Sequence, residues 1–161
     1  MKVFIRYTAL LLCFAVAPVL AFEDKYLDAN GVKIRYIDTG KGQAIVLLHG
    51  GASSLESWTS EGVVDNLAKD FRVIAFDARG HGKSDSPRDP AAYGRQQALD
   101  VVRILDALKI QRAHIIGFSL GSSTVAQLLT LHPERFLKGV QVGGAGRTPD
   151  EANDPRIETE A

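Results

Sequence analysis

From Ala44 to Val142 the chain alternates between short apolar runs and longer stretches in which apolar residues recur every three or four positions. "AIVLLHG" (44–50), "RVIAF" (72–76), "AHIIGF" (113–118) and "LKGVQV" (137–142) are of the first kind. A strand that sends apolar side chains to both faces must be buried on both, so these read as strands of a parallel sheet. "SWTSEGVVDNLAKD" between them carries helical spacing. From Gln96 to Lys109, polar residues at 97, 100, 103, 106 and 109 leave Ala98, Val101, Val102, Leu105 and Leu108 as one helical face. A further helix is predicted from Leu120 to His132. Ahead of the first run, "YLDANGVKIRYIDTG" predicts two short strands around an Asn30-Gly31 hairpin, with Val32, Ile34 and Tyr36 on one face. Buried strands alternating with amphipathic helices predict an α/β fold: a mostly parallel sheet with helices on both faces.

Composition narrows this only a little. The 161 residues are 45% hydrophobic and 24% charged, as expected of one globular domain. Lys and Arg total 19 against 19 Asp and Glu, with no basic stripe, so nucleic acid is not expected as a partner. The first 21 residues stand apart: Lys2 and Arg6 precede an apolar run from Ala9 to Leu20, with Val19 and Ala21 at cleavage-site spacing. This predicts a secretory signal peptide cut after Ala21 and a secreted or periplasmic protein. The apolar run is interrupted by Pro18 and falls short of the roughly 20 residues that cross a bilayer, so no membrane span is expected after cleavage. Cys13, the one cysteine, would leave with the leader, and disulfides would then contribute nothing. The expected organisation is a leader (1–21), the α/β domain (22–146) and a polar tail (147–161).

Ligands of open α/β sheets bind beyond the carboxyl ends of the strands, which directs attention to the loops after residues 49, 76 and 118. All three are glycine-rich. In "HIIGFSLGSS" (114–123) a strand runs into Ser119, flanked by Gly117 and Gly121 at G-x-S-x-G spacing, and a helix follows. Such a turn pushes the serine side chain into the open, where it can act as a nucleophile. Ser119 could instead be an ordinary helix N-cap, though this leaves the two glycines unexplained. Attack by a serine needs a base for its proton and N–H donors for the oxyanion. The Leu120 N–H is one such donor, and Gly51, in "LLHGGASS" (47–54), is the favoured second. No histidine or acidic pair has ligand spacing on one helix face, so neither a metal nor a cofactor is expected.

"LLHGGASS", "VIAFDARGHGKSDSP" and "HIIGFSLGSSTVAQLLTLHPERF", in this order, resemble the amino-terminal half of the α/β-hydrolase fold, in its esterase and lipase-like branch. The resemblance implies that Ser119 is the nucleophile, that Gly51 and Leu120 form the oxyanion hole, and that Gly117 and Gly121 shape the elbow. It implies a small ester or related acyl substrate, and a serine at the elbow argues against the family's dehalogenase and epoxide-hydrolase members. Asp77, Arg79 and Ser84 would mainly hold their turn. The family's acid and histidine follow the serine on later strands, so both are expected beyond Ala161, the fold being truncated after its sixth strand. "TPDE" (148–151) would begin the family's lid, and the strand at 137–142 would be an open edge.

Two of the four histidines are too distant to replace the missing base, while His49 and His81 are not excluded by distance. His132 lies a helix length from Ser119, on the order of 20 Å, and His114 a strand length, roughly 16 Å. His49 and His81 stand at the correct edge of the sheet, but in the family they shape a loop and a turn. Two expectations therefore stand side by side: a serine hydrolase acting through an acyl-enzyme on Ser119, or a catalytically inactive remnant or binding module that keeps the elbow alone.

Overall fold

A computed structural model describes residues 22–144. The predicted leader and polar tail lie outside the described residues. Strand β1 (Lys25–Asp28) and strand β2 (Lys33–Gly40) pair antiparallel around the predicted turn, in which Asn30 and Gly31 have φ of 58° and 79°. The turn is closed by the Ala29 N–H donating to Val32 O at 2.8 Å and the Gly31 N–H donating to the Asp28 carboxylate at 2.6 Å. Beyond it come β3 (Gln43–Leu48), β4 (Phe71–Phe76), β5 (Ala113–Phe118) and β6 (Phe136–Val142). The sheet order is β1-β2-β4-β3-β5-β6; β2 meets β4 antiparallel, and all pairings from β4 to β6 are parallel.

Alternate residues of the same apolar runs build two cores. Val46, Leu48, Ile74, Phe76 and Ile115 face helix α3 (Arg95–Ala107) and helix α4 (Leu120–Leu131), together with Ile34. Ile45, Leu47, Val73 and Ala75 face the other way, with Leu55 and Val64 beside them. Ile34 lies with Val32 and Tyr36 as the pattern predicts, while Ile37 joins the opposite core.

Two helical expectations are corrected. The stretch at 57–70 is two short helices, α1 (Glu56–Ser60) and α2 (Val63–Leu67), because Gly62 takes φ 69° and restarts the helix in a direction that buries Val64. In α3 the predicted face is joined by Ile104, and Asp100, counted as a solvent position, is fully buried. The remaining helix, α4, and the strands match their predicted places within one or two residues.

Strand β6 is an edge of the sheet among the described residues, and only Phe136 of it is buried. Val140 and Val142 register with Ile116 and Phe118, so that Phe118, Val140 and Val142 form an exposed apolar strip on one face. No helix among the described residues is long and apolar enough to cross a membrane.

Candidate active site

Because β3 lies between β4 and β5, the chain leaves β3 for one neighbour and later returns to the other side of it. This reversal brings the loops after β3 and β5 side by side at the carboxyl edge, and Ser119 stands there. Its backbone has φ 51° and ψ −110°, a conformation that costs a non-glycine residue about 1–3 kcal/mol and persists only where the surroundings impose it. Its side chain is exposed and makes no capping hydrogen bond to α4. The N-cap reading therefore does not account for it.

The glycines beside it answer to crowding. A Cβ on Gly117 would lie 2.3 Å from Gly121 O, and one on Gly121 would lie 2.4 Å from Leu48 O. Only bare backbone lets the first turn of α4 approach both β5 and β3 this closely. Ser122, which sequence reasoning did not single out, locks the arrangement from beneath. Fully buried, its Oγ lies 2.8 Å from Gly117 O and 2.9 Å from Val142 O and accepts the Val142 N–H at 3.1 Å. The Ser119 N–H donates to Val142 O at 2.8 Å. Nothing in the local pattern distinguishes Ser122 from Ser123; Ser122 is buried because it faces the ends of β5 and β6.

The residues expected to supply oxyanion donors are brought together. Leu120 opens α4, so its N–H has no acceptor within the helix. A Cβ on Gly51 would meet Leu120 Cβ at 4.0 Å, and one on Gly50 would meet Ser119 Cβ at 3.4 Å. The loop after β3 thus lies against the elbow.

His49 is 3% exposed and both its ring nitrogens are engaged. Nε2 accepts the Ala78 N–H at 3.0 Å, which fixes the proton on Nδ1, and Nδ1–H donates to Gly50 O at 2.7 Å. His49 therefore ties the loop after β3 to the loop after β4 and has no nitrogen free to take a proton from Ser119. Burial, aided by the neighbouring His81, holds its pKa below 6.5. His81 stacks at a tilt on His49, 5.3 Å between centroids, with Nδ1 3.2 Å from Arg79 O. His114 lies near the start of β5, edge-on to Phe71, and His132 ends α4.

A neutral buried histidine has a pH signature. The unfolded state binds the proton more readily, so stability is full above pH 6.5 and declines as pH falls, by at most about 1.4 kcal/mol per pH unit. Urea unfolding at pH 8 and pH 5.5 is expected to show this loss in the wild type and a smaller loss in His49→Gln. Equal losses would assign the dependence to other groups.

The loop after β4 is held by Asp77, Arg79 and Ser84, the residues to which the resemblance gives that role, through bonds both within the loop and to its neighbours. Asp77 is fully buried; one carboxylate oxygen accepts the Leu55 N–H at 2.7 Å and the other accepts the Lys83 N–H at 2.8 Å. Ser84 Oγ donates to Asp77 O at 2.7 Å. Arg79 makes a two-pronged pair with Asp100, at 2.7 and 2.6 Å, and donates to Ala92 O at 2.5 Å.

Comparison with known proteins agrees with this fold. Residues 43–160 match the family model described as the alpha/beta hydrolase fold. The 2-hydroxymuconate semialdehyde hydrolase of Pseudomonas sp. (strain CF600) is 38% identical over 120 residues, covering 73% of this chain and 42% of that protein. A hydrolase from Pseudomonas aeruginosa PA01 superposes with a TM-score of 0.68 at 31% identity, over 73% of this chain and 44% of that one. The epoxide hydrolase VrEH1 from Vigna radiata shares the fold, with a TM-score of 0.74 at 22% identity over 84% of this chain and 43% of that one. The chain spans less than half the length of each.

Proposed function

Given that the chain belongs to the alpha/beta hydrolase fold family, we propose that it is a serine hydrolase whose nucleophile is Ser119. The observation that carries this reading is the strained, exposed and uncapped Ser119 at the strand-to-helix turn. Ser119 Oγ attacks a carbonyl carbon while its proton passes to a base. The oxyanion so formed lies toward the N–H groups of Leu120 and Gly51. Collapse expels the leaving group and leaves an acyl-enzyme, which water then hydrolyses. His49 is committed to the loops, and the base and its orienting acid are assigned, by the family's chain order of nucleophile, acid and histidine, to strands later than those described. The substrate class we assign is a small carboxylic ester or a related acyl compound. The similar Pseudomonas hydrolase is named for a semialdehyde rather than an ester, so the related acyl compounds in that class extend to ones that are not esters. The leader pattern at residues 1–21 adds export to the secreted or periplasmic space.

A fluorophosphonate probe followed by peptide mass spectrometry tests the nucleophile. Labelling is expected at Ser119 and is expected to vanish in Ser119→Ala at unchanged circular dichroism. A folded, soluble wild type that takes no label would reject the reading and leave the elbow as an inactive remnant or a binding module.

A further inference from the structure

Arg35 occupies an alternating position of β2, where a charged side chain would ordinarily face water, yet its side chain is only 6% exposed. Three carboxylates surround it. Its Nε donates to Asp24 at 2.7 Å, and one terminal nitrogen reaches Glu56 at 2.5 Å and Asp77 at 3.2 Å. Two of these carboxylates continue to the same place. The other oxygen of Asp77 accepts the Leu55 N–H at 2.7 Å, and the other oxygen of Glu56 accepts from Ser54 Oγ at 2.6 Å. Ser54 and Leu55 close the loop that begins at Gly50 and Gly51. The Arg35 N–H also donates to Ser84 Oγ at 2.9 Å, so the loop after β4 is fastened to the same residue.

We propose that Arg35 is a positioning residue: by gripping Asp77 and Glu56 together it fixes the loop at 50–55, and with it the Gly51 N–H, against Ser119. This rests on the reading of Gly51 as an oxyanion donor. A buried charge cluster is a poor source of net stability compared with apolar side chains of similar volume. What a guanidinium supplies instead is direction: Nε and one terminal nitrogen are fixed on Asp24, which holds the other terminal nitrogen, in the same plane, toward Glu56 and Asp77 where an ammonium would rotate freely. Burial opposes the charge on Glu56, but hydrogen bonds from Ser54 and Arg35 outweigh it and hold its carboxyl below the usual carboxylate range. Glu56 is therefore ionised at neutral pH, when the loop has to be in place.

Amide hydrogen exchange at Leu55, Ser57 and Trp58, whose N–H groups are bonded within this loop and its helix, is the direct test. In Arg35→Lys these amides are expected to exchange about tenfold faster while amides of β3 and β5 keep their wild-type rates. Glu56→Gln, at a half-exposed position, keeps the test open if Arg35→Lys does not fold, with an expected increase of about threefold. For the fluorophosphonate reaction, the maximal rate in Arg35→Lys is expected to fall about tenfold at unchanged half-saturating concentration. Exchange that stays at the wild-type rate, or that rises equally in β3 and β5, overturns the proposal. A wild type that takes no probe defeats the serine-hydrolase reading instead, and the exchange data still decide whether Arg35 holds the loop.

Discussion

Gly121→Ala is expected to lose about 3 kcal/mol of stability, the upper part of the range for overpacking a filled site. The added methyl would meet Leu48 O at 2.4 Å, Leu48 Cβ at 2.8 Å and His49 O at 2.9 Å. Two of these three atoms are backbone at and just beyond the end of β3, where Leu48 is paired on both sides, to β4 and β5, and cannot retreat. Relief has to come from α4, whose first turn would lift away from the sheet and carry Ser119 out of line with Gly50 and Gly51. The same variant should therefore show both a lowered urea midpoint and a loss of fluorophosphonate labelling in its folded fraction. Gly51→Ala is the control for stability. Its Cβ would find nothing nearer than 4.0 Å, so its midpoint should stay close to wild type. A Gly121→Ala protein as stable as the wild type would mean that α4 does not press on β3 in the way described.

The second large effect is expected at Arg79. Its guanidinium and the Asp100 carboxylate are 3% and 1% exposed, and they face each other through two hydrogen bonds. Arg79→Met would leave Asp100 with only Arg103, a partly exposed neighbour at 2.8 Å, for compensation. Removing one member of a buried ion pair costs about 3–5 kcal/mol, because the survivor keeps its desolvation penalty without its partner. The double variant Arg79→Met/Asp100→Leu should recover most of that loss, since two apolar groups of similar volume carry no such penalty. Urea unfolding of the two single variants and the double variant measures this coupling. If the double variant loses as much as the single losses combined, the pair is not coupled and the burial of Asp100 has some other support.

These two sites differ in how visible they were beforehand. Gly117 and Gly121 stand at fixed distances from Ser119 in the chain, and a strand followed by a helix gave their spacing a meaning. Asp100 sits at a polar position of an amphipathic helix and Arg35 at an alternating position of a strand, so each reads locally as a residue facing water. Their partners, Arg79 and Asp77, lie 21 and 42 residues away. A pattern of hydrophobicity reports which side of an element is apolar; it contains no term for a distant charge of opposite sign. The break at Gly62 is not legible for a related reason, since a glycine within helical spacing is compatible with a continuous helix until packing selects the left-handed turn.

By itself the sequence determined the class of fold, because each central strand is apolar on both faces and each intervening helix on one. It also determined where the nucleophile candidate stands in the chain, because Ser119 lies between glycines at the junction of a strand and a helix. The tertiary structure alone decided that β3 separates β4 from β5, which brings the loops at 50–55, 77–85 and 119 to one edge. It alone decided that His49 spends both ring nitrogens on backbone groups and that Arg35, Asp77, Arg79 and Asp100 are buried in pairs. The physical reason is range: burial patterns are written in neighbouring residues, whereas strand order and charge pairing depend on residues that meet only when the sheet has formed.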